Sequence, residues 1–366
     1  MHKLTISGKI TVSALTGLFL MTAISCNNIN REIKGGQLAG EKIISLADTS
    51  DLTNNFYDNA ETYNLGSLTL TVGGEVANPG NIDLENLPLH TVVVKETQLF
   101  EKADRFTGAF RYDGYSLFDI LNRYTIKKVN EGEFPPVIDL YVEVENDRGD
   151  KVNVSWGEIY YPNHLHEIII ATRVMRIVPS KTKELWQLPV EPKLVCGGDL
   201  ISERNIPGPT KITLKSCPKS FVTVKGMSPL YSPDIKIYLN DLLTETISGV
   251  PAGMKLQNYP AVFYGRGRGI HSTQPFEGYL LKDFLMKHKE ITKESLQTGL
   301  IVLAAKDGYR GVFTYSEVMN RNDQAEVLLV YKPEEKDGGV FRLFAAGDFF
   351  SDRAIKAIEC IYITSN

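Results

Sequence analysis

The sequence has no excess of basic charge, since 40 Lys and Arg residues face 44 Asp and Glu residues and the formal net charge is −4. A protein that binds nucleic acid through its phosphates needs clustered Lys and Arg, so this balance argues against a nucleic-acid partner. Beyond residue 25, no apolar run is long enough to span a membrane as a helix. The rest of the chain is long enough for two domains with cores of their own.

Cysteine is scarce, and the four cysteines are Cys26, Cys196, Cys217 and Cys360. Three of them follow Cys26, and an odd number leaves at least one thiol unpaired unless the partner lies in another chain. A Cys196–Cys217 disulfide is one interpretation, but we favour small buried hydrophobic residues for all three. The sequence also lacks a Ser/His/Asp or Cys/His set with the spacing of a catalytic site.

Residues 1–25 have the pattern of a secretory signal. Lys3 and Lys9 precede an apolar run over residues 10–24, and small residues stand directly before Cys26. This segment resembles the lipobox of bacterial lipoproteins. The resemblance implies cleavage before Cys26, lipid attachment to its sulfur and a bilayer as partner, in the bacterial cell envelope and most simply at the outer membrane. The alternative is an ordinary signal peptide with an incidental cysteine.

Residues 26–64 are rich in Asn, Asp, Ser and Gly and have no sustained apolar period. This composition predicts a tether between the lipid anchor and the globular part of the chain.

The remainder contains an internal repeat. Residues 194–206 match residues 343–355 without a gap at an offset of 149 positions. Two further blocks match in the same order, because residues 111–121 resemble residues 275–285 and residues 156–159 resemble residues 315–318. A period of this size fits a whole domain. We therefore predict a duplicated domain, with copies at 65–216 and 217–366 that pack as an internal pseudo-dimer.

The local patterns predict more strands than helices. Alternating or buried apolar runs predict ten strands, at residues 68–72, 91–94, 138–144, 151–156, 167–171, 221–224, 299–305, 311–315, 326–331 and 341–345. Apolar residues at helical spacing predict helices at 116–124 and 280–286, and Asp83 is expected to cap a short helix that Pro88 closes. The predicted class is α+β and strand-rich.

These features resemble the molybdopterin-binding domain of the sulfite oxidase family. The resemblance rests on residues 74–79, on the Leu-Glu-Asn-Leu-Pro segment at 84–88 and on the predicted helices after the Gly-Tyr pairs that begin at Gly114 and Gly278. It also rests on the Gly-Asp and Arg-x-Ile motifs near the end of each copy. It implies two tandem domains of that fold.

The resemblance also implies a molybdenum site with one cysteine thiolate as ligand. The corresponding stretches here are residues 94–105 and 259–271, and neither contains a cysteine. Molybdopterin binding stays possible, but no cofactor is expected, and the chain is expected to be a binding protein rather than an enzyme.

The expected ligand site is in the second copy. Residues 265–269 read Gly-Arg-Gly-Arg-Gly, in which glycine gives a ligand access to the backbone and arginine grips phosphate or carboxylate. The candidate anion-binding residues are Tyr264, Arg266, Arg268, His271, Arg353 and Lys356. The first copy has Pro207 where the second has Lys356. The alternative is a mobile surface loop without a ligand.

Three other motifs favour structural roles. His164 and His166 lack a third ligand at metal-binding spacing, so solvated histidines are favoured over a metal site. The acidic residues at Asp199, Glu203, Asp348 and Asp352 recur with Arg204 and Arg353 in both copies, which indicates a carboxylate–arginine pair that fixes the fold. Glu158 and Glu317 are expected to start helices.

The function expected from the sequence is an envelope binding module for a small anionic or cofactor-like ligand or for a partner protein. An active molybdopterin oxidoreductase and a structural subunit of an outer-membrane complex are the alternatives.

Overall fold

The computed structural model describes Tyr57, residues 60–100 and residues 103–364. The expected signal peptide, Cys26 and most of the expected tether lie outside these residues. The described part of the chain is 42% strand and 11% helix, which confirms a strand-rich α+β class. No helix in it is long and apolar enough to cross a membrane.

The first half contains ten strands, two short α-helices and a 3₁₀ turn at Val137–Asp139. Its elements are β1 (Thr62–Asn64), β2 (Thr71–Gly74), β3 (Gly80–Asn81), β4 (His90–Phe100), β5 (Ala103–Ser116), α1 (Leu117–Leu121), β6 (Leu140–Asn146), β7 (Lys151–Ser155), α2 (Trp156–Tyr160), β8 (Ile168–Arg176), β9 (Lys193–Cys196) and β10 (Pro209–Ser216).

These strands form two sheets. One has the order β3-β2-β10-β6-β7, in which β2 and β10 are parallel and the other pairs are antiparallel. The other runs β4-β5-β8-β9, entirely antiparallel, with β1 added along β8. Between them, α1 and α2 bury Leu117, Ile120 and Trp156 in the core of this half.

The second half contains eleven strands, three α-helices and a 3₁₀ turn at Ser351–Arg353. Its elements are β11 (Ile235–Leu239), β12 (Leu242–Ile247), β13 (Gln257–Tyr259), β14 (Phe263–Gly265), β15 (Gly269–Ser272), β16 (Phe276–Leu280), α3 (Leu281–Leu285), α4 (Lys293–Thr298), β17 (Leu300–Ala305), β18 (Arg310–Thr314), α5 (Tyr315–Met319), β19 (Val327–Tyr331), β20 (Phe341–Ala345) and β21 (Ile358–Thr364).

The second half repeats the strand order of the first. One sheet has the order β12-β11-β21-β17-β18, again with one parallel pair, between β11 and β21. The other is the antiparallel sheet β13-β16-β19-β20. The hairpin of β14 and β15 stands apart as a two-stranded sheet.

Local capping explains why helices begin where they do. Ser116 caps α1 by accepting the N–H of Asp119. Ser155 and Thr314 each form a capping box, in which Glu158 and Glu317 bond back to the backbone of the cap residue. The expectation that these two glutamates start helices is confirmed.

Two local predictions are wrong. Residues 83–88 form no helix, because Asp83 accepts the N–H of Glu85 and Asn86 enters the left-handed region at φ 67°, which makes a turn. Residues 221–224 form no strand; Val224 instead donates to the carbonyl of Asp307 in a turn of the neighbouring segment. The first strand of the second half is β11.

The two halves share buried contacts. Ile201 of the first half belongs to the main core of the second, and Tyr309 of the second packs against the core of the first. The side-chain amide of Asn320 accepts the N–H of Ile201 and donates to the carbonyl oxygen of Ile201, both at 2.8 Å. The halves therefore fold against each other over a buried junction.

Candidate ligand-binding site in the second half

The glycine-rich motif forms the tip of the β14–β15 hairpin. Gly269 has a φ of 75°, a conformation that glycine adopts without strain, and this lets the chain reverse direction at the tip. Arg266 and Arg268 therefore stand on an exposed turn. His271 lies on β15, and its ring packs closely against Gly265. A Cβ atom at position 265 would come within 2.4 Å of His271 Nε2.

The two hairpin arginines differ in their partners. Arg266 donates bidentate hydrogen bonds to the carboxylate of Asp352, with distances from 2.9 to 3.1 Å, and these raise the pKa of its guanidinium. This ion pair ties the hairpin tip to the 3₁₀ turn at Ser351–Arg353. Arg268 is exposed and has no ion-pair partner among the described residues.

Arg353 is buried and already paired with carboxylates. Its side chain is 2% exposed, and its guanidinium contacts Asp348 at 2.5 Å and Glu317 at 2.6 Å. It also lies over the ring of Phe313 at 4.2 Å. It therefore does not belong with the exposed cations of the expected anion site, because its guanidinium is paired with Asp348 and Glu317 in the buried junction.

The corresponding motifs of the two halves meet at this junction. Arg204 binds Asp199 and Glu158 as Arg353 binds Asp348 and Glu317. We call these six residues the arginine cluster. The expected carboxylate–arginine pairs are confirmed for Asp199 and Asp348, whereas Glu203 accepts the N–H of Leu99 and Asp352 binds Arg266.

Two hydrogen bonds cross the junction between equivalent capping residues. Ser155 donates its Oγ–H to Glu317 at 2.7 Å, and Thr314 donates its Oγ1–H to Glu158 at 2.8 Å. Burial raises the pKa of Glu317 to about 7, and the charge of Glu158 adds to this rise against the attraction of Arg353. Burial also opposes ionisation of Glu158, but Arg204 outweighs it and lowers the pKa.

A cavity of about 380 Å³ lies between the hairpin and the segment after β20. We call it the aromatic pocket, because its walls include Pro260, Tyr264, Phe344, Phe349 and Phe350. Tyr264 contacts the rings of Phe349 and Phe350, with ring centroids 5.6 and 6.1 Å away. Of the expected anion-site residues, this pocket contains Tyr264 and none of the cations.

A second cavity, of about 440 Å³, lies on the other side of Phe263. We call it the lysine pocket. Lys332, Arg342 and Lys356 line it, together with the single acidic residue Glu277. Its lining therefore carries net positive charge, and both lysines are exposed to solvent.

The apolar wall of the lysine pocket is rigidly packed. The rings of Phe276 and Phe344 stack with centroids 3.9 Å apart, and Phe263 packs edge-on against Phe276 at 5.2 Å. Arg342 is held on the rim by Glu335 and by the carbonyl oxygens of Gly338 and Asp337. The pocket therefore combines exposed lysines with a packed aromatic surface.

The structure thus separates the residues that the sequence grouped. Lys356 lies in the lysine pocket and Tyr264 in the aromatic pocket. Arg266, Arg268 and His271 lie on the β14–β15 hairpin and line neither pocket. Sequence reasoning missed Lys332 and Phe276. Phe276 begins β16 and Lys332 directly follows β19, and the pairing of β16 with β19 brings the two segments together.

The cysteines do not suit a molybdenum site. Cys196, Cys217 and Cys360 are buried free thiols, as the sequence led us to expect. Burial raises the pKa of Cys217 to about 11 and that of Cys360 to about 12, and it raises the pKa of Cys196 further still. None lies in the stretches 94–105 or 259–271, so the residues present do not fit the thiolate ligand of that family.

No protein-family model matches the chain, and no curated protein matches it.

Proposed function

We propose that this chain is a lipid-anchored binding protein of the bacterial cell envelope, held in the bilayer through Cys26, whose second half binds a small anionic ligand with an apolar part. The observation that carries the proposal is the lysine pocket, where Lys332 and Lys356 face the same cavity as Phe263 and Phe276. Lysine is a point charge that pairs with phosphate, sulfate or carboxylate, and the phenyl rings bury the apolar part.

Charge balance supports the lysine pocket over the hairpin as the anion site, because the pocket brings together two lysines that are unpaired among the described residues, whereas the hairpin tip offers Arg268 beside the already paired Arg266. Arg266 and Arg353 are already paired with carboxylates, and an anion would have to displace those partners. Lys332 and Lys356 have no ion-pair partner among the described residues. An anion that binds between them gains attraction without breaking an existing ion pair.

We also infer that the two halves are copies of one sulfite-oxidase-like domain. The repeated strand order and the equivalent Arg204 and Arg353 pairs support this duplication. Under this inference Lys356 stands where the resemblance expects a phosphate-binding lysine, while the thiolate ligand is lost. The proposed ligand is therefore an anion and not a molybdenum cofactor.

A partner protein is the second candidate ligand, at the aromatic pocket. Val262, Ile270 and Phe349 on its rim are 64%, 65% and 50% exposed. Neighbouring apolar side chains that are exposed to this extent are typical of interaction sites.

The test uses anilinonaphthalene sulfonate, an anion with apolar rings, as a fluorescent probe for the full chain in detergent. The double variant Lys332→Gln/Lys356→Gln should weaken probe binding at least about tenfold, since each lost charge pair is worth on the order of 1 kcal/mol. Lys225→Gln, which changes an exposed lysine outside the pocket, is the matched control.

Equal probe affinity in the double variant and in the control would refute the anion site. Mass spectrometry of protein purified from its own host adds an independent result. A co-purified anion that the double variant loses supports the proposal, whereas near-stoichiometric molybdenum with a pterin would overturn it.

A further inference from the structure

The structure assigns a metal-binding site to His90, Asp119 and His166 in the first half of the chain. Their ligand atoms all lie within 4.8 Å of one another. His90 Nε2 is 2.6 Å from Asp119 Oδ2, and His166 Nδ1 is 3.5 Å from the same oxygen. The sequence offered only His164 and His166; the fold leaves His164 out and supplies the two ligands that spacing could not reveal.

Three different elements converge on this site. His90 is the first residue of β4, Asp119 lies in α1, and His166 lies in the loop before β8. Ser116, the cap of α1, donates its Oγ–H to Asp119 at 2.9 Å and lies 3.0 Å from His166 Nδ1. The carboxylate is thus oriented by a neighbour, as carboxylate ligands of protein metal sites usually are.

The backbone of His166 holds an uncommon conformation. Its φ is 70°, in the left-handed region that few residues other than glycine enter. The ring is held there by stacking on His90, with centroids 3.8 Å apart, and by an edge contact to Phe118 at 5.1 Å. The surrounding structure therefore aims this imidazole at Asp119 in spite of the backbone preference.

The charge of the site supports a cation. Among the described residues, the ion-pair contacts of Asp119 are with the two imidazoles, and no Lys or Arg neutralises it. Two imidazoles and one carboxylate form a ligand set that suits first-row divalent ions such as Zn²⁺. Lys and Arg, which would repel such an ion, do not line the adjoining cavity of about 320 Å³.

That cavity leaves room for further ligands. The side chains of His90, Asp119 and His166 are 24%, 17% and 29% exposed, so one side of the site faces solvent. Gly197 lies in the cavity wall, where an added Cβ would come within 2.5 Å of Val92. Three protein ligands and an open side are the arrangement of a metal site that binds water or an exogenous ligand.

The geometry also predicts how the site changes when a metal binds. Ligand atoms of a tetrahedral zinc ion lie about 3.3 Å apart, which the 3.5 Å separation of His166 and Asp119 already approaches. The His90–Asp119 separation of 2.6 Å is a hydrogen bond that the metal must replace. Parallel rings 3.8 Å apart cannot both point at one ion, so one imidazole must rotate and the stack must open.

The second half does not repeat the site. At the offsets of the internal repeat, Asp119 corresponds to Asp283, but Ser116 corresponds to Leu280 and His166 to Ala325. One metal ion per chain is therefore expected.

The experiment titrates the full chain, purified without an oligohistidine tag, with Zn²⁺ against a chromogenic chelator and with Co²⁺ in the visible range. We expect one saturable site. Bound Co²⁺ should show the visible absorption bands of a four- or five-coordinate ion. Asp119→Asn and His166→Asn should weaken Zn²⁺ binding more than about 100-fold, because each removes a direct ligand, and Ser116→Ala about tenfold. His164→Ala, on the same loop, is the matched control and should bind as the unchanged chain does.

The variants are chosen to keep the fold. Asn tolerates the left-handed conformation at residue 166, and Asn at 119 keeps the size of the side chain. Circular dichroism and urea unfolding identify any variant that fails to fold. If one of the two ligand variants, Asp119→Asn or His166→Asn, fails to fold, the Zn²⁺ affinity of the other decides the result. No saturable Zn²⁺ binding, unchanged binding in both ligand variants, or an equal loss in His164→Ala would overturn the proposal.

Discussion

Replacing Glu317 with Gln is expected to change how the stability of the chain depends on pH. Glu317 is 3% exposed and lies in the arginine cluster, between Arg353 and the Oγ of Ser155. The cluster contains four carboxyl groups and two arginines, so ionising all four leaves an excess of negative charge in a buried junction. Burial and the charge of Glu158 together raise the pKa of Glu317 to about 7.

The sign and size of the effect follow from this pKa. Between its ordinary pKa of 4.5 and about 7, Glu317 holds a proton in the folded chain and releases it in the unfolded chain. The free energy of unfolding therefore falls as the pH rises through this window. The shift corresponds to at most about 3 kcal/mol, at 1.36 kcal/mol per pKa unit. Gln at 317 is neutral at every pH and should remove this dependence.

The assay is urea denaturation at pH 5 and pH 8, followed by the fluorescence of Trp156 and Trp186. The free energy of unfolding of the Glu317→Gln variant minus that of the unchanged chain should be higher at pH 8 than at pH 5, by up to about 3 kcal/mol.

Glu158→Gln is the matched control, since Glu158 is the equivalent residue of the first half and has the opposite shift. Burial opposes its ionisation, but Arg204 lowers its pKa, so its contribution is complete above pH 4.5 and is lost only at lower pH. This variant should therefore lose the Arg204 pair at both pH values, and because it also removes a charge that raises the pKa of Glu317, it should weaken the pH dependence only in part, whereas Glu317→Gln removes it. If both variants show the same pH dependence, the proton assignment within the cluster is refuted.

Three further predictions concern the junction and the cofactor. Arg204→Met should lower the free energy of unfolding by about 3–5 kcal/mol in urea, because it leaves Asp199 and Glu158 buried without their partner; a loss below 1 kcal/mol would contradict this. Gly157→Ala should cost about 1–3 kcal/mol, because its Cβ would come within 2.0 Å of the Arg353 guanidinium, whereas Gly73→Ala, with no atom within 4 Å, should change little in the same assay. Metal analysis of protein from its own host should find no stoichiometric molybdenum, because the described thiols are buried and the two expected ligand stretches contain none.

The sequence predicted the elements whose patterns are strongest. β20 was predicted with its exact bounds, and α1, β7, β17 and β19 were each predicted to within a few residues, because buried apolar runs and capping residues mark them clearly. The long strand β5 was not predicted, because Gly and charged residues interrupt its apolar residues. It forms a strand by pairing with β4 and β8. Tertiary pairing decided that strand, and local propensity did not.

The site was predicted less well than the fold for a related reason. The family resemblance grouped Lys356 with Arg353 as expected ligand residues, because both belong to the closing Arg-x-Ile-Lys motif. In the structure Arg353 points into the junction and Lys356 lines a pocket with Lys332, so residues three positions apart in the chain have different surroundings. Likewise, no spacing rule connects His90 to Asp119 and His166, which three separate elements bring together.

The internal sequence repeat contains some positions that recur in both halves and others that do not. Arg204 and Arg353 recur in both halves and are buried at the junction, where losing either would leave carboxylates uncompensated. The two proposed sites do not recur as sets, since Pro207 corresponds to Lys356 and Ala325 to His166, although Asp119 has a counterpart in Asp283. If the halves arose by the proposed duplication, the residues that hold them together had to be kept, whereas each surface was free to acquire its own chemistry. The metal site of the first half and the lysine pocket of the second are therefore best tested as independent functions of one chain.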